Sequence, residues 1–135
     1  MKSPRDHAWG LLAKAEHDLV AARATLSTGQ AMDMVCFHAQ QATEKSLKAL
    51  LALHDVEYPW RHDLGEIIHL VRPFAPQITA LEEQILRLSP FAVEVRYDDE
   101  LAPSLSEARE ALQIATEVYD LIAQVVQHDK PADIA

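Results

Sequence analysis

The histidines and the single cysteine are the side chains in this sequence that most readily suggest chemistry. The chain has seven histidines, and its one cysteine is Cys36. No two histidines lie four residues apart on a predicted helix, the spacing that aims two imidazoles at one metal ion. Cys36 and His38 are two residues apart, about 200° around a helix, so His38 cannot act as the general base for a Cys36 nucleophile. We therefore expect neither a bound metal nor a cofactor.

Three short groups of polar residues remain as candidates for ligand binding. Lys45 and Lys48 belong to one predicted helix, His62 ends a predicted loop, and Arg96 and Tyr97 precede the last helix. Arginine can stabilise charge on a phosphate, and histidine titrates near neutral pH. Each residue also has a plain structural interpretation. The lysines would form a solvated face, with Glu44 and Lys48 as an i, i+4 pair, and His62 would help to end the loop. Arg96 would pair with a neighbouring acid or cap a helix end, and Tyr97 would be a half-buried packing aromatic.

Length and charge restrict the class of protein. The chain has 135 residues, enough for one domain, and its formal net charge is −9. Residues 1–67 carry 7 basic and 9 acidic side chains, whereas residues 68–135 carry 5 and 12. Broad attraction to nucleic acid is therefore not expected, and any polyanion should prefer the N-terminal half. With no long apolar segment and a lone cysteine, the chain is predicted to be cytoplasmic and not to associate with membranes.

Alanine and leucine recur at helical intervals, which predicts an all-α fold. The first helix should begin after the capping residue Ser3 and end at Gly29. The second, about residues 31–54, carries two apolar stripes, and the small residues of one stripe suit a close partner. Glu44, Lys45 and Lys48 are expected to face outward from this helix.

The remaining elements are shorter, except the last. Residues 55–62 should form a loop, a helix should start at Asp63, and another should cover about residues 76–88. Residues 90–103 are expected to be irregular, and the last helix should run from the capping residue Ser104 to about Gln127. The prediction is one domain over residues 1–135, an antiparallel up-and-down bundle of three long and two shorter helices, with its core at about 4–127 and a flexible tail at 128–135.

Four motifs in this sequence occur in the order that is typical of one family. Residues 36–51, CFHAQQATEKSLKALL, resemble the second-helix signature of the HEPN domain family. His62-Asp63-Leu64 is similar to that family's next helix start, and Arg96-Tyr97 is similar to the pair before its final helix. Residues 15–22 resemble the first-helix element. The resemblance extends from about residue 9 to residue 126.

The resemblance implies a helical bundle that dimerises and is often encoded beside a minimal nucleotidyltransferase, as a toxin and antitoxin pair. Some members are metal-independent ribonucleases, in which a histidine follows an arginine after four to six residues. In this chain residues 97–103 contain no histidine, and they include Asp98, Asp99 and Glu100. Because a positioned general acid or base is missing there, ribonuclease activity by that mechanism is not expected.

Three functions are compatible with these observations. The first is a binding protein: a homodimer that engages a nucleotidyltransferase partner and a nucleotide or RNA, with Arg96, Tyr97, Lys45, Lys48 and His62 as ligand-binding residues. The second is a metal-independent endoribonuclease that uses Arg96. The third is a protein-interaction module in which the small residues of the second helix dock another protein.

Overall fold

A computed structural model describes residues 2–58 and 62–129. All regular secondary structure in this part of the chain is helical, which confirms the predicted all-α fold. The α-helices are α1 (Pro4–Thr28), α2 (Met32–Leu53), α3 (Leu64–Val71), α4 (Glu82–Leu86), α5 (Glu94–Tyr97) and α6 (Leu105–His128), and 3-10 helices cover Pro76–Leu81 and Ser89–Phe91.

The long helices begin and end at the residues whose side chains favour those positions. The Ser3 hydroxyl accepts a hydrogen bond from the Asp6 backbone N–H, and the Asp6 carboxylate accepts one from the Ser3 N–H. Ser104 and Glu107 form the same reciprocal pair at the start of α6. Gly29 ends α1 with φ 70°, a left-handed conformation that costs glycine little. These predicted boundaries are confirmed.

Helix α2 lies at the centre of the bundle and packs against both α1 and α6. Its small residues Ala39, Ala42, Ser46 and Ala49 are all 0% exposed. The expectation that this stripe docks another protein is therefore wrong, because neighbouring helices of the same chain already cover it. Alanine on both helices permits close packing with α1, which buries Ala8, Ala15 and Ala22.

The long helices do not simply alternate in direction. The α1 start contacts the α6 end, since the Arg5 guanidinium donates to the backbone oxygens of Val126 and Asp129. The α2 end reaches the same place, because His54 Nε2 lies 3.0 Å from an Asp129 carboxylate oxygen. Helix α1 is thus antiparallel to both α2 and α6, and these two run parallel to each other. Residues 62–104 carry the chain back across the bundle and make this arrangement possible.

The segment before α6 is more helical than its sequence suggests. Residues 90–103 were expected to be irregular, yet Ser89–Phe91 and Glu94–Tyr97 form short helical turns. Burial of Phe91, Ala92 and Val95 against the core favours these turns despite the prolines. Helix α6 also continues through His128, and Asp129 contacts Arg5 and His54, so these two residues do not belong to the predicted flexible tail. The rest of that tail, residues 130–135, lies outside the described part of the chain.

No helix in the described ranges combines the length and apolar character that crossing a bilayer requires.

Candidate functional site

Lys45 belongs to a half-buried polar cluster between α1 and α2. Its Nζ lies 2.6 Å from Asp18 Oδ2, and His38 Nδ1 lies 2.9 Å from Asp18 Oδ1. Asp18 is only 9% exposed, so its carboxylate is bound by Lys45 and His38 in place of water. The side chain of Lys45 retains 31% exposure and so partly faces outward, as expected. The Asp18 cluster, as we call these three residues, ties the first two helices together.

Lys48 and His62 meet at a second buried acid, Glu44. His62 Nδ1 lies 2.8 Å from Glu44 Oε1, and Lys48 Nζ lies 3.5 Å from Glu44 Oε2. Glu44 is 3% exposed, and the Lys48 side chain is 12% exposed, so the prediction that they face outward is wrong. A buried carboxylate needs such partners, and Gln40 Nε2 supplies a third at 3.5 Å.

The Glu44 cluster, defined as Glu44, Lys48, His62 and Gln40, fixes the start of α3. Because His62 directly precedes the α3 N-cap Asp63, its bond to Glu44 holds that helix start against α2. The ammonium of Lys48 also lies 5.2 Å from the Tyr58 ring centroid. This cation–π contact stabilises the position of Tyr58.

Arg96 and Tyr97 line a pocket of about 460 Å³ between the α2 start and residues 95–103. The Arg96 guanidinium lies 5.1 Å from the Phe37 ring centroid and 5.5 Å from the Tyr97 ring centroid. Tyr97 is 77% exposed, so the expected half-buried packing role is wrong. Within the described chain Arg96 makes no ion pair; its side chain donates to the Ala92 carbonyl oxygen at 3.4 Å. The expected pairing of Arg96 with a neighbouring acid is therefore also wrong, whereas its contact with Ala92, the C-cap of the Ser89–Phe91 turn, agrees with the alternative that it caps a helix end.

The electrostatics of this pocket are mixed. Asp33, Asp98 and Asp99 line it together with Arg96, and no histidine of the described chain does. Several carboxylates repel a bare phosphate, whereas an exposed aromatic face and a guanidinium can stack on a base whatever its sequence. The arrangement therefore suits stacking on a base or nucleoside better than the clamping of a polyphosphate.

The five sequence-predicted site residues fall into three separate groups. Arg96 and Tyr97 share the pocket, Lys45 belongs to the Asp18 cluster, and Lys48 and His62 share Glu44. The lysines are held by carboxylates, so they are poor phosphate ligands unless those contacts break. The structure thus leaves Arg96 and Tyr97 as the pair that is open to a ligand.

Sequence analysis did not identify Asp18 or Phe37, and it named Glu44 as the i, i+4 partner of Lys48 but not as the buried acid of a cluster. A signal existed for Asp18, because it lies between Ala15 and Ala22 on the buried face of α1. A polar residue inside an apolar stripe indicates a buried polar contact. No comparable signal marks Phe37, whose contact with Arg96 depends on the path of residues 62–104.

The described residues offer no obvious metal centre or reactive thiol. No group of three or more His, Cys, Asp or Glu side chains in the described ranges could hold a metal ion. Cys36 is fully buried, and burial raises the pKa of its thiol to about 12, with further increases from Glu107 and Asp33. A thiol in this state is a poor nucleophile near neutral pH.

Comparisons with known proteins agree with the geometry of the bundle. The model of the HEPN domain matches residues 8–125. A crystal structure of an archaeal HEPN homologue superposes with a TM-score of 0.71 at 23% sequence identity, covering 93% of this chain and 99% of that one. No curated protein matches the sequence.

Proposed function

This chain belongs to the HEPN domain family, and from that premise we propose that it acts by binding. In this proposal it is a homodimer that engages a minimal nucleotidyltransferase, as in a toxin–antitoxin module, and that holds a nucleotide or RNA at Arg96 and Tyr97. The partner is proposed from the family, whose model matches residues 8–125. The ligand is proposed from the side chains of Arg96 and Tyr97, which line the pocket.

The observation that carries the proposal is the composition of the Arg96 pocket. It pairs a guanidinium without an ion-pair partner in the described chain with an aromatic ring that is 77% exposed. Stacking of a base on an aromatic side chain is worth about 1–3 kcal/mol, enough to hold a nucleoside weakly. Proton transfer would need a positioned base, and the described lining residues include none with an imidazole.

The test is equilibrium binding of a fluorescent adenine nucleotide and of a short single-stranded RNA, measured by anisotropy in the presence of chelator. We expect Tyr97→Ala and Arg96→Ala to weaken binding about tenfold through lost stacking, with a smaller loss in Arg96→Lys. Arg23→Ala is the matched control, because Arg23 is exposed on α1 and does not line the pocket. Equal affinities in wild type and all variants would contradict the proposal.

A second candidate, a metal-independent endoribonuclease, is favoured by one contact. The Phe37 ring that contacts Arg96 also packs edge-on against the His38 ring, with centroids 5.4 Å apart. The Phe37 ring therefore lies between the His38 imidazole, which Asp18 binds, and the Arg96 guanidinium. Gel analysis of the same RNA distinguishes the two functions: robust cleavage that disappears in Arg96→Ala would favour the enzyme over the binding protein.

The partner is tested separately. The gene next to this one should encode a small nucleotidyltransferase, and co-expression with this chain should yield a complex that survives gel filtration. Absence of such a neighbour, or separate elution of the two proteins, would remove the partner from the proposal. The nucleotide-binding part would still depend on the anisotropy measurement.

A further inference from the structure

A second concave surface, distinct from the Arg96 pocket, is lined by Phe91 and residues of α6. It is a groove of about 360 Å³ between residues 84–91 and the first half of α6, and it shares no lining residue with that pocket. Leu88, Phe91 and Ala111 are buried beneath it, and the half-buried Ile114 extends this apolar floor along α6. We call it the α4–α6 groove.

The rim of the α4–α6 groove is acidic. Glu107, Glu110 and Glu117 project along one side, all of them exposed. The lining arginine, Arg87, already has an ion-pair partner, since its Nη2 lies 3.2 Å from Glu83 Oε1. The rim therefore presents negative charge around an apolar centre.

The charge of the rim discriminates among occupants. In a symmetric contact a second copy would place its own glutamate rim against this one, and RNA is a polyanion, so both are repelled at the groove. A helix with aliphatic residues on one face and lysine or arginine beside them can make apolar contacts with the floor of the groove and ion pairs with the glutamates of its rim. Anchors at i, i+4 and i+7 would follow the groove along α6.

From this complementarity we propose that the α4–α6 groove docks a basic amphipathic helix of a partner protein. Aliphatic anchors contact Leu88, Phe91 and Ile114, and flanking cations pair with Glu110 and Glu117. The inference rests on the proposed role in protein binding, but it uses no residue of the Arg96 pocket. Nucleotide anisotropy and groove binding can therefore fail independently.

The test uses a panel of fluorescein-labelled helical peptides with leucine at i, i+4 and i+7 and lysine or arginine at the flanking positions. Their affinity for the full-length protein is measured by anisotropy at low and moderate salt. We expect binding that weakens as salt rises, and no binding of the same peptides with each cation replaced by glutamate.

Variants localise the binding to the groove. Glu110→Lys should weaken peptide binding about fivefold, because one rim attraction becomes a repulsion. Glu57→Lys is the matched control, since it changes the charge equally at an exposed residue outside the groove, and it should change affinity less than about twofold. Ile114→Ser, checked by circular dichroism and thermal unfolding, should weaken binding about tenfold through lost apolar contact.

Three results would overturn the proposal. One is no binding of any cationic peptide up to about 1 mM, the weakest affinity of interest. Another is equal weakening by Glu110→Lys and Glu57→Lys, which would indicate general charge attraction. The third is self-association of the wild type that Ile114→Ser abolishes, because a second copy would then cover the groove.

Discussion

Asp18 and Glu44 are the two buried acids on which the polar contacts of α2 depend. Each is almost inaccessible to water, and each is bound by a lysine and a histidine. Removing one partner of a buried ion pair costs more than the pair contributes, because the other partner stays buried and unsatisfied. These clusters therefore fix the geometry of α1, α2 and the α3 start.

Replacing Asp18 should measurably destabilise the protein. We expect Asp18→Asn to lower the free energy of unfolding by roughly 2 kcal/mol, because the amide keeps the shape but loses the charge that Lys45 and His38 contact. Urea denaturation followed by circular dichroism measures this difference. Asp120→Asn is the control at an exposed site on α6 and should change stability by less than about 0.5 kcal/mol. Similar losses in both variants would show that the Asp18 contacts contribute little.

Cys36 should make stability depend on alkaline pH. Its pKa is raised from 9.0 to about 12 in the folded chain, so above pH 9 the unfolded thiol loses its proton while the folded thiol keeps it. This contribution is complete below pH 9 and is lost as the pH rises toward 12. The stability advantage of wild type over Cys36→Ala, measured by urea denaturation, should therefore shrink between pH 8 and pH 10. A constant difference would contradict the raised pKa.

At this scale, the sequence named candidate residues but not their surroundings. Arg96 was one of five residues proposed as ligand-binding, on the family resemblance, and in the structure it lines a pocket. The burial of Glu44 was not predictable, since a helix that packs on several sides buries positions that a two-sided helix would expose. The exposure of Tyr97 was not predictable either, because it lies at the end of a short turn that local sequence did not indicate. Whether these side chains are buried or exposed depends on the path of residues 62–104 between α2 and α6.

The long helices are the elements that the sequence specifies most clearly. Capping boxes at Ser3 and Ser104 and the left-handed Gly29 act within one turn of the chain, so local chemistry decides these boundaries. The turns at Ser89–Phe91 and Glu94–Tyr97 are too short to hold their own shape and form because Phe91 and Val95 are buried. Local sequence therefore could not reveal them.

Arg5 should stabilise the C-terminal end of α6. Its guanidinium bonds the backbone oxygens of Val126 and Asp129 at 3.3 and 2.8 Å, which satisfies carbonyl groups that a helix end leaves free. Arg5→Ala should lower the free energy of unfolding by about 1 kcal/mol and accelerate hydrogen exchange in the last turn of α6. The exposed Arg23 provides the control Arg23→Ala, which should leave that exchange unchanged. Unaltered exchange in Arg5→Ala would show that the helix end is stable without this contact.

The whole molecule should associate as a homodimer, but not through the small residues of α2. Those residues are covered within the chain, so a second copy must use another surface. Trp9 and Val20 are exposed apolar residues eleven apart on α1, a spacing that puts them on one face. Light scattering after gel filtration should give the mass of a dimer at tens of micromolar, because an interface of about 800 Å² per partner persists at such concentrations. A monomeric mass would contradict this prediction.

The class of fold was predictable from composition and periodicity, whereas the arrangement of the helices was not. Local signals assigned α1, α2 and all of α6 except His128 to helices, but the relative direction of these helices depends on residues 62–104. The sequence showed only that acidic residues concentrate in residues 68–135, the part of the chain that contains the glutamates of the α4–α6 groove. The groove itself needed the tertiary structure.

The central position of α2 has a consequence for the order in which the chain folds. The Asp18 cluster joins residues 20 and 27 positions apart, whereas the Arg5 contacts close loops of 121 and 124. Short loops close at lower entropic cost, so the α1–α2 hairpin should form first and α6 should dock in a later step. In stopped-flow experiments Asp18→Asn should mainly slow refolding, and Arg5→Ala should mainly speed unfolding. During synthesis the hairpin therefore leaves the ribosome with the α6-facing side of α2 uncovered, and this surface is exposed to aggregation or chaperone binding until α6 emerges.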